Sequence, residues 1–128
     1  MEERAGKRIL VVDDDPGVRE VIRSMLESAG YTVLAAENGR EAMKVLRSAT
    51  VDLILTDLVM PEQEGIETIK TLRRDYPDLK VIAMSGAFGG DYLRIASYLG
   101  AHGTLPKPIQ MPALLKLIAE ILREEPPG

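Results

Sequence analysis

Three aspartates, a serine and a lysine stand at the ends of apolar runs in this 128-residue chain. Asp13 and Asp14 come after ILVV, Asp57 after LILT, Ser85 after VIAM and Lys107 after TLP. Three carboxylates brought together repel one another unless a divalent cation lies among them, and oxygen ligands without His or Cys favour a hard ion, Mg²⁺ above all. A hydroxyl and an ammonium group could then hold the remaining oxygens of a phosphoryl group. The five residues together indicate phosphoryl transfer to a carboxylate nucleophile.

Each of these residues also has a purely structural explanation. An aspartate after a strand commonly opens a turn, and acids before a helix cap it or complement its dipole. Ser85 alone is typical of a turn, and Lys107 alone is typical of a solvated surface. The chemical interpretation therefore depends on whether the fold brings all five side chains to one edge.

Apolar periodicity predicts five strands and five helices in alternation. The predicted strands are 9–12, 31–36, 51–57, 80–85 and 103–106, and the predicted helices are 16–29, 41–48, 65–75, 91–99 and 111–124. Asp15 is the expected N-cap of the first helix, with Pro16 at its first position. Val18, Val21 and Ile22 begin an apolar repeat at helical spacing in this helix.

This alternation indicates βαβ units and therefore a parallel sheet with helices on both faces. Pro106 favours an edge position for the fifth strand, because proline in sheets is confined to edges and strand ends. The expected fold is α/β, a doubly wound five-stranded parallel sheet in the order 2-1-3-4-5 with five helices. In that order strands 1, 3, 4 and 5 present their carboxyl ends side by side, which would assemble the five residues.

Length and composition narrow the function further. The chain is long enough for one domain with its own core, and its net charge of −4 gives no basic surface for nucleic acid or an anionic membrane. The absence of cysteine excludes disulfides and thiolate chemistry and fits a cytoplasmic location. No apolar run approaches the roughly 20 residues of a membrane span. We expect residues 1–7 to be a solvated leader, 8–124 the domain, and 125–128 a tail or the start of a linker.

The segments ILVVDDD, LILTDLVMP, VIAMSG and LPKP resemble, in this order, the receiver domain of two-component response regulators, with a flavodoxin-like, chemotaxis-regulator-like fold. The resemblance covers about residues 8–124. It implies that Asp57 accepts a phosphoryl group from a phosphohistidine of a sensor histidine kinase or a phosphotransfer protein. It also implies that Asp13, Asp14, Asp57 and the backbone carbonyl of Val59 hold Mg²⁺.

The same resemblance makes Ser85 a switch hydroxyl and Lys107 a phosphate contact, with a cis peptide bond before Pro108. Phosphorylation is expected to switch the face formed by the fourth helix, the fifth strand and the fifth helix. The protein is thus expected to be a phosphoacceptor switch whose only activities are its own phosphorylation and dephosphorylation. Besides the phosphodonor, the implied partners are an output domain or downstream protein and a second copy in a phosphorylation-dependent homodimer.

The chain departs from the family pattern at two positions. Thr104 stands where an aromatic residue usually lies three positions before the lysine, so the usual aromatic coupling between site and output face lacks its side chain. Tyr98 and Phe88 are nearby aromatic candidates for that role. Glu62 replaces the glycine that commonly follows the proline of the third motif.

Three other functions compete with this interpretation. A phosphohydrolase would use the same acids but usually carries a second acid two residues after the nucleophile, where this chain has Val59. A receiver that acts as a phosphate-independent interaction module would be expected to lack some of the five residues. A nucleotide or flavin binder is disfavoured, because no glycine-rich phosphate loop follows the first strand.

Overall fold

The computed structural model describes residues 7–58, 64–86 and 91–123, and in them five strands alternate with five helices. The strands are β1 (Arg8–Val12), β2 (Thr32–Ala36), β3 (Leu53–Asp57), β4 (Lys80–Ser85) and β5 (Gly103–Pro106). The helices are α1 (Pro16–Ser28), α2 (Gly39–Ser48), α3 (Glu64–Asp75), α4 (Asp91–Tyr98) and α5 (Met111–Leu122). The predicted alternation is confirmed. None of the helices in these ranges is long and apolar enough to cross a membrane.

The strands form one parallel sheet in the order β2-β1-β3-β4-β5. This confirms the doubly wound fold and the edge position of β5, whose last residue is Pro106. Every residue of the central strand β3 is buried, as expected where helices cover both faces of a parallel sheet.

Successive residues of each strand feed two separate apolar layers, because strand side chains alternate between the faces of the sheet. On one face Ile9 packs in a cluster with Leu26 of α1 and Ile118 of α5. On the other face Leu10 packs in a cluster with side chains such as Ile69 of α3. The two layers pack against opposite faces of the sheet, so the carboxyl ends of its strands are held in fixed relative positions.

Helix α1 begins as predicted, but its apolar repeat is not buried throughout. Asp15 is the N-cap, and its Oδ1 accepts hydrogen bonds from the backbone N–H groups of Gly17 at 2.8 Å and Val18 at 3.4 Å. Ile22 is buried, whereas Val21, which belongs to the same apolar repeat, is 55% exposed. An exposed valine at this position leaves an apolar side chain on the surface of α1.

Helix α2 begins two residues earlier than predicted. Asn38 caps it, since its side-chain oxygen accepts a hydrogen bond from the N–H of Glu41 at 2.8 Å. Asparagine is among the most favourable N-cap residues, and this bond allows Gly39 to open the helix.

The single histidine ties the start of β5 to β4 at the opposite end of the sheet from the aspartates. The N–H of His102 donates to the Val81 carbonyl at 2.7 Å, and its Nδ1 accepts the N–H of Val81 at 3.1 Å. Nearby, Arg73 donates from Nη1 to the carbonyls of Pro77 and Leu79 at 3.0 and 3.4 Å. The bond to Nδ1 requires that this nitrogen carry no proton, so the contact exists with neutral imidazole.

We predict that this bond makes folding stability depend on pH. Partial burial lowers the pKa of His102, and the charges of Arg73 and Lys80 lower it further. Because histidine in an unfolded chain has a pKa of about 6.5, the unfolded chain binds more protons than the folded one below that pH. The stabilising contribution is therefore complete above about pH 6.5 and is lost as pH falls through the lower folded-state pKa.

Urea unfolding of the parent and of His102→Leu at pH 8.0 and 5.5 tests this prediction. We expect the substitution to lower the free energy of unfolding by up to about 1 kcal/mol at pH 8.0, a modest figure because the imidazole is partly exposed. At pH 5.5 the difference should shrink. Equal differences at both pH values would show that the bond does not depend on a neutral ring.

Candidate functional site

The five residues identified in the sequence meet at the carboxyl edge of the sheet. Asp57 ends β3, Ser85 ends β4, and Asp13 and Lys107 immediately follow β1 and β5. These strands are neighbours in the order β1-β3-β4-β5, so their ends lie side by side. The fold therefore assembles side chains that are up to 94 positions apart in the chain.

The three aspartates form one acidic cluster. A carboxylate oxygen from each of Asp13, Asp14 and Asp57 lies within 4.8 Å of the others. Asp13 is 0% and Asp57 3% exposed, whereas Asp14 is exposed and opens the cluster to solvent. An all-oxygen set with one accessible side fits a hard divalent cation that keeps part of its water shell, as Mg²⁺ does. Val59, whose carbonyl the resemblance adds to this set, lies outside the described residues.

Lys107 bridges the two buried acids. Its Nζ donates to Asp13 Oδ2 at 2.8 Å and to Asp57 Oδ2 at 3.1 Å. Burial opposes the charged ammonium, but hydrogen bonds and charges of the two aspartates together outweigh burial and raise the pKa of Lys107. The protonated lysine thus neutralises part of the negative charge that the fold concentrates here.

The end of β4 positions this lysine. The N–H of Lys107 donates to the Ser85 carbonyl at 3.0 Å, which continues the pairing of β4 with β5. Gly86 follows Ser85, and a Cβ built on Gly86 would lie 3.2 Å from the Lys107 Cβ. The peptide bond between Lys107 and Pro108 is cis, as the family resemblance implied. Ser85 itself is 2% exposed and lies directly beside the strand that ends in Asp57.

Asp13 is held at each of its polar atoms. Its N–H donates to the Ala36 carbonyl at 3.2 Å, and its Oδ1 accepts the N–H of Asp15 at 2.9 Å. Its carbonyl accepts a hydrogen bond from Nη1 of Arg19 at 2.6 Å. Sequence reasoning missed Arg19. A signal was available, because side chains on a helix lean back toward its N-terminus and Arg19 lies one turn beyond the acids.

An open groove of about 640 Å³ adjoins the acidic cluster between α1 and the segment after β5. We call it the α1 groove, and its lining includes Val18, Val21, Lys107, Pro108 and Ile109. The groove is largely apolar, and its lining includes the lysine that contacts Asp57. A partner that reached Asp57 from this side would cover exposed apolar surface.

Residues 9–119 match the family described as the response regulator receiver domain. Response regulator MprA of Mycolicibacterium vanbaalenii is 36% identical over 120 residues, which make up 94% of this chain and 52% of that protein. The transcriptional regulatory protein GlrR of Escherichia coli is 33% identical over 120 residues, 94% of this chain and 27% of that protein. This chain therefore spans about half the length of one relative and about a quarter of the other.

Solved structures agree with this match. Chemotaxis response regulator CheY4 of Vibrio cholerae superposes with a TM-score of 0.81 at 30% identity, covering 90% of this chain and 98% of that one. Response regulator TrrA of Thermotoga maritima, solved in complex with Mg²⁺ and BeF, gives a TM-score of 0.80 at 32% identity with the same coverage.

The lysine bridge predicts opposite effects of two substitutions on the metal-free protein. Lys107→Met leaves Asp13 and Asp57 buried without their shared cation, and should lower the free energy of unfolding by about 2 kcal/mol. This is less than for a fully buried pair, because the lysine side chain is 22% exposed. Asp14→Asn removes repulsion from the same cluster and should raise the free energy of unfolding, by up to about 1 kcal/mol.

Urea unfolding in EDTA measures both effects. Lys44→Met is the matched control, since Lys44 pairs with Glu41 at 3.4 Å on the surface of α2. Such exposed pairs contribute little, so the control should lie within about 0.5 kcal/mol of the parent. If Lys107→Met behaves like Lys44→Met, the bridge does not offset the buried charge.

Proposed function

This chain belongs to the response regulator receiver domain family, and on that premise we propose that Asp57 accepts a phosphoryl group from a protein phosphohistidine. The family is a phosphoacceptor signalling domain and not a classical enzyme. The observation that carries the proposal is the shared contact of Lys107 Nζ with Asp13 and Asp57, the two buried members of an acidic cluster that Asp14 opens to solvent. The donor is a sensor histidine kinase or a phosphotransfer protein, and we place the exchange in the cytoplasm.

The transfer needs little covalent chemistry from the protein. A carboxylate oxygen of Asp57 forms a bond to phosphorus while the bond from phosphorus to the donor nitrogen breaks. The donor histidine leaves as neutral imidazole: it retains the proton on its other nitrogen or, if that nitrogen is unprotonated, takes a proton from water. Lys107 already contacts Asp57, so its ammonium is placed to offset the charge of the incoming phosphoryl oxygens. Mg²⁺ held by Asp13, Asp14, Asp57 and the Val59 carbonyl would supply the remaining neutralisation. The chain catalyses only its own phosphorylation and dephosphorylation.

We further propose that Ser85 turns its hydroxyl to the phosphoryl group and thereby shifts the face formed by α4, β5 and α5. Two observations support a readout on this face. On α4, Tyr98 is 90% and Ile95 42% exposed, which leaves apolar surface for a partner. A Cβ built on Gly103 of β5 would lie 3.0 Å from side chains of Leu117 and Ile121, so β5 and α5 are in close contact and should move together.

The readout partner is an output domain, a downstream protein or a second copy in a phosphorylation-dependent homodimer. Thr104 is half-buried in β5 and carries no ring, so the signal has to reach this face without the usual aromatic residue. Of the two aromatic candidates, Tyr98 is exposed on α4, and Phe88 lies outside the described residues. We do not expect this domain to bind nucleic acid directly.

The donor should dock on the α1 groove. A phosphohistidine has to reach Asp57 past the rim of the site, and the groove is lined by Lys107, which contacts that carboxylate. Val21, 55% exposed on α1, offers an apolar contact that the fold of this domain does not use. An apolar surface on the donor beside its histidine fits this arrangement.

Labelling with acetyl phosphate and Mg²⁺ tests the acceptor. Intact-mass measurement should show one added phosphoryl group on the parent and none on Asp57→Asn. Asp78→Asn is the control, because Asp78 is an exposed aspartate in the turn before β4, at the other end of the sheet. Labelling that persists in Asp57→Asn would exclude Asp57 as the acceptor. A parent that takes up no phosphoryl group, and does not bind beryllofluoride with Mg²⁺, would instead be a phosphate-independent module.

A second substitution separates docking from chemistry. Val21→Glu should slow transfer from phosphorylated histidine kinase cores at least about tenfold, because it puts a charge into an apolar contact. Labelling by acetyl phosphate should stay unchanged, since a small donor needs no docking surface. Ile95→Glu, which charges an exposed apolar residue of α4, should leave both rates near the parent values. An equal loss with both donors would show that Val21 acts on the site and not on docking.

A further inference from the structure

We propose that Arg19 is a positioning residue that sets the Mg²⁺ affinity of the acidic cluster by fixing the peptide unit between Asp13 and Asp14. The inference rests on the proposed magnesium site and adds a residue to it. Arg19 does not touch the metal or the phosphoryl group in this scheme. It acts through the backbone that joins two of the metal acids.

The contact is short and comes from a firmly anchored element. Arg19 Nη1 donates to the Asp13 carbonyl at 2.6 Å, and a charged donor makes this a strong hydrogen bond. The backbone N–H of Arg19 donates to the Asp15 carbonyl at 3.1 Å, within the first turn of α1. Asp15 caps that turn, and Pro16 occupies its first position. The guanidinium therefore reaches back to the loop from a part of the helix with little freedom.

The carbonyl that Arg19 holds determines where Asp14 lies. The Asp13 side chain is fixed independently, by Lys107 at Oδ2 and by the Asp15 N–H at Oδ1. The carbonyl of Asp13 and the N–H of Asp14 belong to one planar peptide unit. A change of ψ at Asp13 would rotate that plane together with the residue that follows it, and so turn the exposed Asp14 away from the two buried acids. The bond from Arg19 opposes this rotation and keeps the three carboxylates converged.

Arg19 also brings a positive charge near the site, which by itself would weaken cation binding. The two effects have opposite signs, so their relative size decides the outcome of a substitution. The guanidinium is only half-buried, and solvent screens its charge. Loss of an outer hydrogen-bonding partner of a metal ligand typically weakens metal affinity 10–100-fold. Removing the Arg19 side chain should therefore weaken Mg²⁺ binding, because the lost hydrogen bond to the Asp13 carbonyl matters more than the lost positive charge.

Isothermal titration calorimetry with Mg²⁺ alone, on the unphosphorylated protein, tests the inference. Arg19→Met keeps much of the aliphatic stem and should raise the Mg²⁺ dissociation constant about tenfold, the lower end of the outer-partner range. Arg19→Lys keeps a charged donor and should recover part of that loss. Arg23→Met is the matched control one turn along α1, where Arg23 pairs only loosely, with Glu20 at 4.0 Å and Glu27 at 3.5 Å. It should stay within about twofold of the parent.

A second measurement separates positioning from general damage. The rate of acetyl phosphate labelling of Arg19→Met should fall at low Mg²⁺ and return to the parent value at saturating Mg²⁺. A rate that stays low at saturation, or an Mg²⁺ affinity equal to or tighter than that of the parent, would overturn the inference. If the parent itself binds no Mg²⁺, the proposed metal site fails, which is distinguishable from a failure confined to Arg19.

Discussion

The site depends on one ammonium group shared by two buried carboxylates. Lys107 is 94 residues from Asp13 and 50 residues from Asp57, so the bridge exists only when β1, β3 and β5 are all in place. A buried ion pair of this kind adds little net stability over an apolar packing of similar volume. The lysine bridge is therefore better explained by a role in the chemistry of the site than by a contribution to folding stability. The two apolar layers supply the stability that lets the sheet hold like charges together.

The bridge also places the lysine where a cation and a phosphoryl group would compete for its partners. Lys107 contacts two of the carboxylates that the proposed metal would use. Its ammonium has three N–H donors, so it cannot keep all its hydrogen bonds to these carboxylates and also contact the oxygens of a phosphoryl group. Loading the site should therefore redirect the ammonium. Because the Lys107 N–H is bonded to the Ser85 carbonyl, such a change acts on the junction of β4 and β5. The same residue thus links acceptor chemistry to the edge of the sheet.

Local and periodic features of this protein are predictable from its sequence, whereas contacts between side chains and distant backbone are not. The Asp15 cap, the alternation of elements and the edge position of Pro106 follow from neighbouring residues and are observed. Helical spacing alone does not separate the buried Ile22 from the exposed Val21, because both lie near one apolar stripe and packing decides between them.

Contacts such as the bond between His102 and Val81, 21 residues apart, depend on how the residue before β5 meets strand β4 in space. That bond bears on how α4 can move. The end of α4 is tied down, since Gly100 adopts φ 105° and the N–H of Ala101 donates to the Ala96 carbonyl at 3.0 Å. The next residue, His102, is itself hydrogen-bonded to Val81 of β4, and a Cβ on Gly100 would meet the Arg73 side chain at 3.1 Å. The start of α4 follows the Ser85 end of β4 in the chain. A displacement of Ser85 should therefore act at the start of α4 while its last turn stays anchored, which tilts the helix instead of translating it.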